Sequence, residues 1–270
     1  MTMDAEIIEG ASQVATEVAK DVYQDVAHPG LQSTGEVLGL IPRAVNAALV
    51  PFREWIEKRE YRLSVTKKLL EKKLEKVAPE EIVPPEMHIA IPALQAIGYS
   101  MDNDEIRDMY ANLLASSMQK RVKNDVLPAY TEFIKQLSPD EARILRYIYS
   151  SHRGLPVVTL RSENKEGSGI DVVPYFTLLY KIVPDLEMRD PKKTAIFVDN
   201  LTRLQLLKVY DGNFLTDESR YYDVENDSAL AEVKSTYVHR EGFSWKFERT
   251  FIGITTLGGA FCRICITPTM

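Results

Sequence analysis

Cys262 and Cys265 form a Cys-x-x-Cys pair, a spacing typical of a redox centre or of half a zinc site. A tetrahedral zinc site needs two more ligands, and the sequence offers neither a second cysteine pair nor a nearby histidine pair. On the helix predicted here, both thiols join Phe261 and Ile264 in apolar surroundings, where cysteine behaves as a small hydrophobic residue. The pair is therefore interpreted as packing, and no metal site is predicted.

Arg146 and His152 fit the loose arginine–histidine spacing of the HEPN ribonucleases. A histidine can transfer protons and an arginine can stabilise a phosphate in the transition state. The two residues are six apart, which places them on different sides of an ideal helix. No phosphate-binding loop, nucleophile elbow, dinucleotide fingerprint or paired-carboxylate motif is present. We therefore expect a non-enzymatic protein without cofactors, and this ribonuclease pair stays an alternative.

A second alternative is a DNA-binding helix opened by Lys192 and Lys193 and carrying Asn200 and Arg203. These residue types can contact phosphates and base edges. The half of the chain that contains them is nearly neutral, and the whole chain has a net charge of -6. A dedicated nucleic-acid binder is expected to be basic, so nucleic acid is not the predicted partner.

An apolar run leads directly into a lysine-rich helix predicted for residues 54–77. The run is shorter than a bilayer span and is interrupted by prolines. Three interpretations stay open: a buried hairpin, an interfacial membrane segment and a true span. The lysines are interpreted as a solvated face or as a contact with anionic lipid. The predicted membrane or partner contacts are Val37, Leu38, Leu40, Ile41, Leu49, Phe52, Trp55, Lys67, Lys68, Lys72 and Lys73.

The compartment is indicated by the cysteines and by the first residues. Two cysteines can form only one disulfide bond with each other, which is too few to stabilise a fold of this size. The low cysteine content favours a reducing compartment. The first residues are acidic and lack the continuous apolar stretch of a signal peptide. We therefore expect a cytoplasmic protein, with membrane association as the open alternative.

Helical periodicity dominates the first half of the chain. Residues 1–34 are predicted to form an N-terminal amphipathic helix, and residues 35–136 a helical domain. Two helix starts are marked by capping boxes, one formed by Asp102 with Glu105 and one by Ser138 with Glu141. The face carrying Ile106 and Met109 has the spacing of a helical core.

The last part, residues 137–270, is predicted to be a small α/β domain. Helices are predicted at 139–151, 174–183, 194–210 and 257–265, with Thr256 as the cap of the last. Two strands are predicted at 233–239 and 243–255, from their aromatic and β-branched residues. This order is typical of a winged helix. The predicted fold is therefore mainly α, with an N-terminal multi-helix body followed by a winged-helix-like C-terminal domain.

Four segments of the chain have a distinctive sequence: Pro84–Tyr99, Asp104–Met118, Pro128–Lys135 and Gln136–Leu145. They resemble the Abi-alpha family, the abortive-infection alpha-like proteins of bacteria, and the resemblance covers roughly Gly35 to Cys265. Two further phrases, at Asp199–Leu207 and Thr255–Cys265, are similar in outline. The resemblance implies a bacterial phage-defence role and supplies no catalytic residues. The expected function is a non-enzymatic effector or accessory protein that works through a protein partner, self-association or an anionic membrane surface.

Overall fold

The computed structural model describes residues 43–47, 60–99, 103–151, 153–183, 186 and 194–267. These residues fall into two compact units. The first comprises the described residues up to Gln136 together with those from Arg263 onward, and the second is Leu137–Cys262. The assignment of the chain end to the first unit was not expected, because residues 137–270 were predicted to form one domain.

The first unit is helical. Its helices are α1 (Glu60–Leu74), α2 (Met87–Tyr99), α3 (Asp104–Ser117) and α4 (Ala129–Lys135), with 3₁₀ turns at Pro79–Glu81 and Lys123–Asp125. A short helical stretch also occupies residues 43–47. The described part of this unit therefore agrees with the predicted multi-helix body.

Helix α3 lies at the centre of the first unit and packs against α1, α2 and α4. Ile106, Met109, Leu113 and Leu114 are buried along it, as the helical spacing predicts. Its N-cap is Asn103, whose side chain accepts a hydrogen bond from the Ile106 amide at 3.0 Å. Asp102 lies outside the described residues, and asparagine caps a helix as well as aspartate does.

The second unit mixes helices with strands. Its helices are α5 (Pro139–Ser151), α6 (Leu179–Ile182), α7 (Thr194–Arg203), α8 (Ser219–Glu225), α9 (Ser228–Thr236) and α10 (Thr256–Cys265), the last of which ends in the first unit. Its strands are β1 (Leu155–Asn164), β2 (Gly169–Phe176), β3 (Leu207–Val209) and β4 (Phe243–Ile254).

The four strands form an antiparallel sheet in the order β2-β1-β4-β3. Strands β1 and β4 pair along ten residues, from Leu155 opposite Ile252 to Asn164 opposite Phe243. Apolar residues of the sheet pack against α8 and α9 to form a core of Val158, Leu160, Val173, Phe176, Tyr221, Val224, Leu230 and Val233. This sheet is the frame that positions the polar groups of the second unit.

Part of the predicted secondary structure of this unit is confirmed. Strand β4 and helix α10 lie where the sequence placed them, although Thr255 rather than Thr256 caps α10, because its Oγ accepts from the Gly258 amide at 2.8 Å. The Ser138 box is also confirmed, since Ser138 N–H donates to Glu141 at 2.7 Å and Glu141 N–H donates to the Ser138 hydroxyl at 3.2 Å.

Other predictions for this unit were wrong. Residues 233–236, expected in a strand, end helix α9, because Asp227 caps that helix and Leu230 and Val233 both face the core. The predicted helices at 174–183 and 194–210 are each part helix and part strand. Strand β1 was not predicted. The unit is a mixed α/β fold, and the winged-helix-like arrangement is not confirmed.

Candidate functional site

The lysines of α1 fall into two groups. Lys67 lies 3.7 Å from Glu71, and Lys73 lies 2.5 Å from Asp108 of α3, so both have acidic partners within the first unit. Lys68, Lys72 and Lys76 are exposed and follow one another at intervals of four residues. We call these three residues the lysine row. Among the described residues they have no ion-pair partner, which leaves their charge available to an external anion.

Helix geometry explains the position of the lysine row. Residues four apart lie on the same face of a helix, so Lys68 and Lys72 stand above one another, and Lys76 follows just after the last residue of α1. On the opposite side, Leu70 and Leu74 are fully buried and hold α1 to the unit. Lysine near a helix C-terminus also interacts favourably with the helix dipole. The burial of Leu70 and Leu74 thus turns the lysines on the opposite side of α1 toward solvent.

A cavity of about 540 Å³ lies beside the lysine row, between α1, α3 and residues 266–267. We call it the α1–α3 cavity. Its apolar lining comes from Leu69, Val77, Ala115 and Ile266. Its polar lining includes Lys72, Lys73 and Lys76 from one side and Asp108, Asn112 and Gln119 from the other. The site is therefore an apolar cleft with cations at its rim.

Asn112 fixes the wall of this cavity. Its side chain is buried, and its amide nitrogen donates to the carbonyl oxygens of Cys265 at 2.9 Å and Ile266 at 3.5 Å. Ser116, one turn later, donates its hydroxyl to the Ile264 carbonyl at 3.3 Å. Carbonyls at a helix C-terminus lack partners within the helix, so α3 satisfies the end of α10. Nothing in the sequence indicated this role.

The apolar part of the predicted contact site lies outside the described residues. This applies to Val37, Leu38, Leu40, Ile41, Leu49, Phe52 and Trp55. Among the helices the structure describes, none combines the length and the apolar character that crossing a bilayer requires. The three interpretations of the apolar run therefore stay as predicted from the sequence.

The alternative catalytic pair is also only partly described. Arg146 is half-buried on α5, and its backbone carbonyl accepts a hydrogen bond from the Ser150 hydroxyl at 2.7 Å. His152 lies outside the described residues. The distance between the two side chains is therefore not part of this structure, and the ribonuclease assignment stays a prediction.

The predicted nucleic-acid residues that the structure describes belong to a structural network. Asn200 donates to Glu141 at 2.6 Å and accepts from the Arg203 guanidinium at 2.7 Å. Glu141 also belongs to the capping box of α5. The predicted capping box and the predicted nucleic-acid residue Asn200 therefore share one carboxylate. Lys192 and Lys193 lie outside the described residues. Nucleic-acid contact by this helix stays a prediction.

Neither cysteine of the Cys-x-x-Cys pair forms a disulfide, and both are fully buried on α10. Burial raises the pKa of the Cys262 thiol to about 12, so it carries a proton at neutral pH and is a poor nucleophile or metal ligand. Among the residues the structure describes, no cluster of histidine, cysteine and acidic side chains has the arrangement of a metal site. These observations agree with the packing role predicted for the pair.

The structure brings together one hydroxyl–imidazole pair that the sequence did not indicate. The Ser162 hydroxyl and His239 Nδ1 are 2.9 Å apart, with the ring of His239 against those of Tyr237 and Trp245. Such a pair is the beginning of a nucleophilic dyad. Ser162 is only 2% exposed within the sheet, however, so a substrate does not reach its oxygen. The pair is interpreted as a core hydrogen bond.

Two further polar centres hold the second unit together. Arg249 donates two hydrogen bonds to Glu225, at 2.6 and 3.0 Å, and one to Glu218 at 2.7 Å. Asp227, whose side chain is 0% exposed, accepts from the Tyr180 hydroxyl at 2.7 Å, from Lys181 and from the Ala229 amide. Burial raises the pKa of Asp227, but these hydrogen bonds outweigh it and leave the pKa below its usual value.

The family model described as Abortive infection alpha matches residues 58–265 of the chain. The chain belongs to this abortive infection family. The match contains the whole lysine row and both cysteines, and it ends one residue before Ile266. The whole apolar run, from Val37 to Phe52, precedes the matched segment, as does Trp55.

No curated protein matches this member of the abortive infection family. A solved structure, of an uncharacterized protein from the hydrocarbon-degrading marine bacterium Alcanivorax borkumensis SK2, is 18% identical to the chain. The alignment covers 51% of this chain and 92% of that protein, with a TM-score of 0.36.

Proposed function

We propose that this protein is a non-enzymatic bacterial phage-defence protein whose lysine row binds an anionic membrane surface. Membership of the abortive infection family suggests the general role. The observation that supports the mechanism is the exposure of Lys68 and Lys72 on one face of α1 and of Lys76 just after its end, without acidic partners among the described residues.

The proposal has a simple physical basis. A lysine close to an anionic bilayer contributes about 1 kcal/mol to binding. Lys68 and Lys72 share one face of α1 and Lys76 follows at its end, so we expect the three lysines to approach the surface together. Lys67 and Lys73 add little, because Glu71 and Asp108 already neutralise them. The same face would serve an acidic protein partner if no membrane is involved.

Liposome flotation tests the membrane contact directly. Wild-type protein is mixed with vesicles rich in phosphatidylglycerol or with vesicles of phosphatidylcholine alone. We expect flotation only with the anionic vesicles, and loss of flotation at high salt because surface charges are then screened. Replacing the lysine row by K68Q, K72Q and K76Q is expected to remove about 3 kcal/mol of binding free energy. This loss lowers the affinity for anionic vesicles on the order of a hundredfold.

The matched control replaces three exposed lysines elsewhere, with K120Q, K135Q and K165Q. This variant has the same net charge as the lysine-row variant, and we expect it to float like the wild type. Equal loss in both variants would show a non-specific charge effect and reject the proposal. If neither the wild type nor the control floats but phage protection depends on the lysine row, the partner is an acidic protein and the membrane proposal fails.

A further inference from the structure

The α1–α3 cavity has the size and the lining of a small-molecule site. Ligand sites in proteins commonly measure about 300–1,000 Å³ and are mostly apolar, with a few convergent polar groups. The cavity, of about 540 Å³, falls within that range. All of its lining residues belong to the first unit, so its walls are set within one compact body.

The apolar and polar linings are segregated. Ala115 and Ile266 are almost completely buried and form the inner wall, while Leu69 and Val77 are half-buried nearer the opening. Lys72 and Lys76 are exposed at the rim, and their methylene stems extend the apolar surface toward solvent. An occupant that matches this lining has an apolar body and a polar end that points outward.

The charge at the rim selects an anion. Three lysines, Lys72, Lys73 and Lys76, line the cavity against two carboxylates, Glu75 and Asp108. Asp108 is already paired with Lys73 at 2.5 Å. The remaining rim charges are two cations and one anion, so a carboxylate or phosphate is attracted and a quaternary ammonium group is repelled.

We propose that the α1–α3 cavity binds a single-chain anionic amphiphile of the fatty-acid class. Its acyl chain lies against Leu69, Val77, Ala115 and Ile266, and its head group lies between Lys72 and Lys76. This site deepens the proposed membrane contact, because the bilayer is a source of such chains, but binding of the soluble amphiphile is measured separately from flotation.

Calorimetric titration of the full chain with octanoate, decanoate and dodecanoate tests the site. The probes are kept below their micellar concentrations. Each buried methylene tightens binding by about fourfold, so each step of two carbons is expected to lower the Kd by roughly fifteenfold, with one molecule bound per protein. Dodecyltrimethylammonium has the same chain and the opposite charge, and we expect it to bind at least about tenfold more weakly.

Two cavity variants complete the test without changing any charge. Ala115→Phe fills the inner wall, and Val77→Trp blocks the opening from a position that is already half-buried. Each is expected to weaken dodecanoate binding at least about tenfold, since the space for the chain is lost. Val122→Trp, a half-buried valine that does not line the cavity, is the matched control and keeps wild-type binding.

The outcomes separate this site from the proposed function. Affinity that does not depend on chain length, equal binding of the cationic probe, or unchanged binding by a folded Val77→Trp variant would each overturn the site. Absence of binding by the wild type would also overturn it. Dodecanoate binding without flotation on anionic vesicles retains the site and rejects the membrane proposal.

Discussion

The two units use their charged residues differently. In the second unit, Asp227, Arg249 and Glu141 each receive or donate several hydrogen bonds from neighbouring elements. In the first unit, the lysine row has no acidic partner among the described residues and lies next to a mostly apolar cavity. Internal pairing stabilises a fold, whereas unpaired charge on one face is available for binding. The difference supports the proposal that the first unit makes the external contact, whereas the charged groups of the second unit stabilise its fold.

Removing the Asp227 carboxylate is expected to have the largest effect on stability. Asp227→Ala deletes the N-cap of α9 and leaves the Tyr180 hydroxyl without its acceptor. A lost cap costs about 1 kcal/mol, and an unsatisfied buried polar group costs about 1–3 kcal/mol. We expect the free energy of unfolding to fall by about 2–4 kcal/mol, measured by chemical denaturation.

Asp223→Ala is the matched control, because Asp223 is exposed on the neighbouring helix α8. Its effect is expected to stay within about 0.5 kcal/mol, as for ordinary surface substitutions. Equal stability of the two variants would contradict the structural role of Asp227 and weaken the contrast between the units.

Glu141→Ala is expected to have the next largest effect. Glu141 accepts from the Ser138 amide and hydroxyl and from the Asn200 side chain, and it is buried. Its removal leaves these donors unpaired at the start of α5, so we expect a loss of about 1–3 kcal/mol in unfolding free energy. Glu232→Ala, at an exposed position of α9, is the control. A similar loss of unfolding free energy there would contradict the claim that the hydrogen bonds of Glu141 stabilise the fold.

The pH dependence of stability offers a more selective test of Asp227. Its folded pKa lies below the usual value, so the stability linked to it is complete above about pH 4 and is lost as the pH falls through the folded pKa. Asp227→Asn has no carboxylate to protonate. We expect the wild type to lose more unfolding free energy than this variant between neutral pH and about pH 2. Parallel pH profiles would show that the folded pKa of Asp227 is not lowered.

Substitution of the lysine row is expected to have the smallest effect on stability. Lys68, Lys72 and Lys76 are exposed, so K68Q, K72Q and K76Q together should change the unfolding free energy by less than about 1 kcal/mol, much less than Asp227→Ala alone. Thermal unfolding of the triple variant checks this. A large loss of stability would mean that the row holds the fold, and the contrast between the two units would then disappear.

Local signals predicted much of the helical frame. The Ser138–Glu141 box is readable because both partners lie within one turn, and the buried face of α3 is readable from its spacing. The lysine row was predictable in part for the same reason. Lys68, Lys72 and Lys73 were all predicted contacts. Lys73 is paired with Asp108 on another helix, which the sequence around Lys73 does not indicate.

Non-local pairing explains what could not be predicted. Strand β1 is stabilised by β4, which begins 79 residues after β1 ends at Asn164, and its own sequence lacks a clear alternation. Residues 233–236 have strand-like types but belong to a helix that Asp227 caps and the sheet covers. The α1–α3 cavity depends on Ile266, which Asn112 holds from 154 residues earlier in the chain. No window of sequence contains both partners.

Phage plating on cells that produce the protein tests the central account most directly. Charge reversal of the lysine row by K68E, K72E and K76E is compared with K120E, K135E and K165E at matched protein levels. We expect the first variant to lose phage protection while remaining folded, and the second to protect like the wild type. Full protection by the lysine-row variant would contradict the assignment of function to this face.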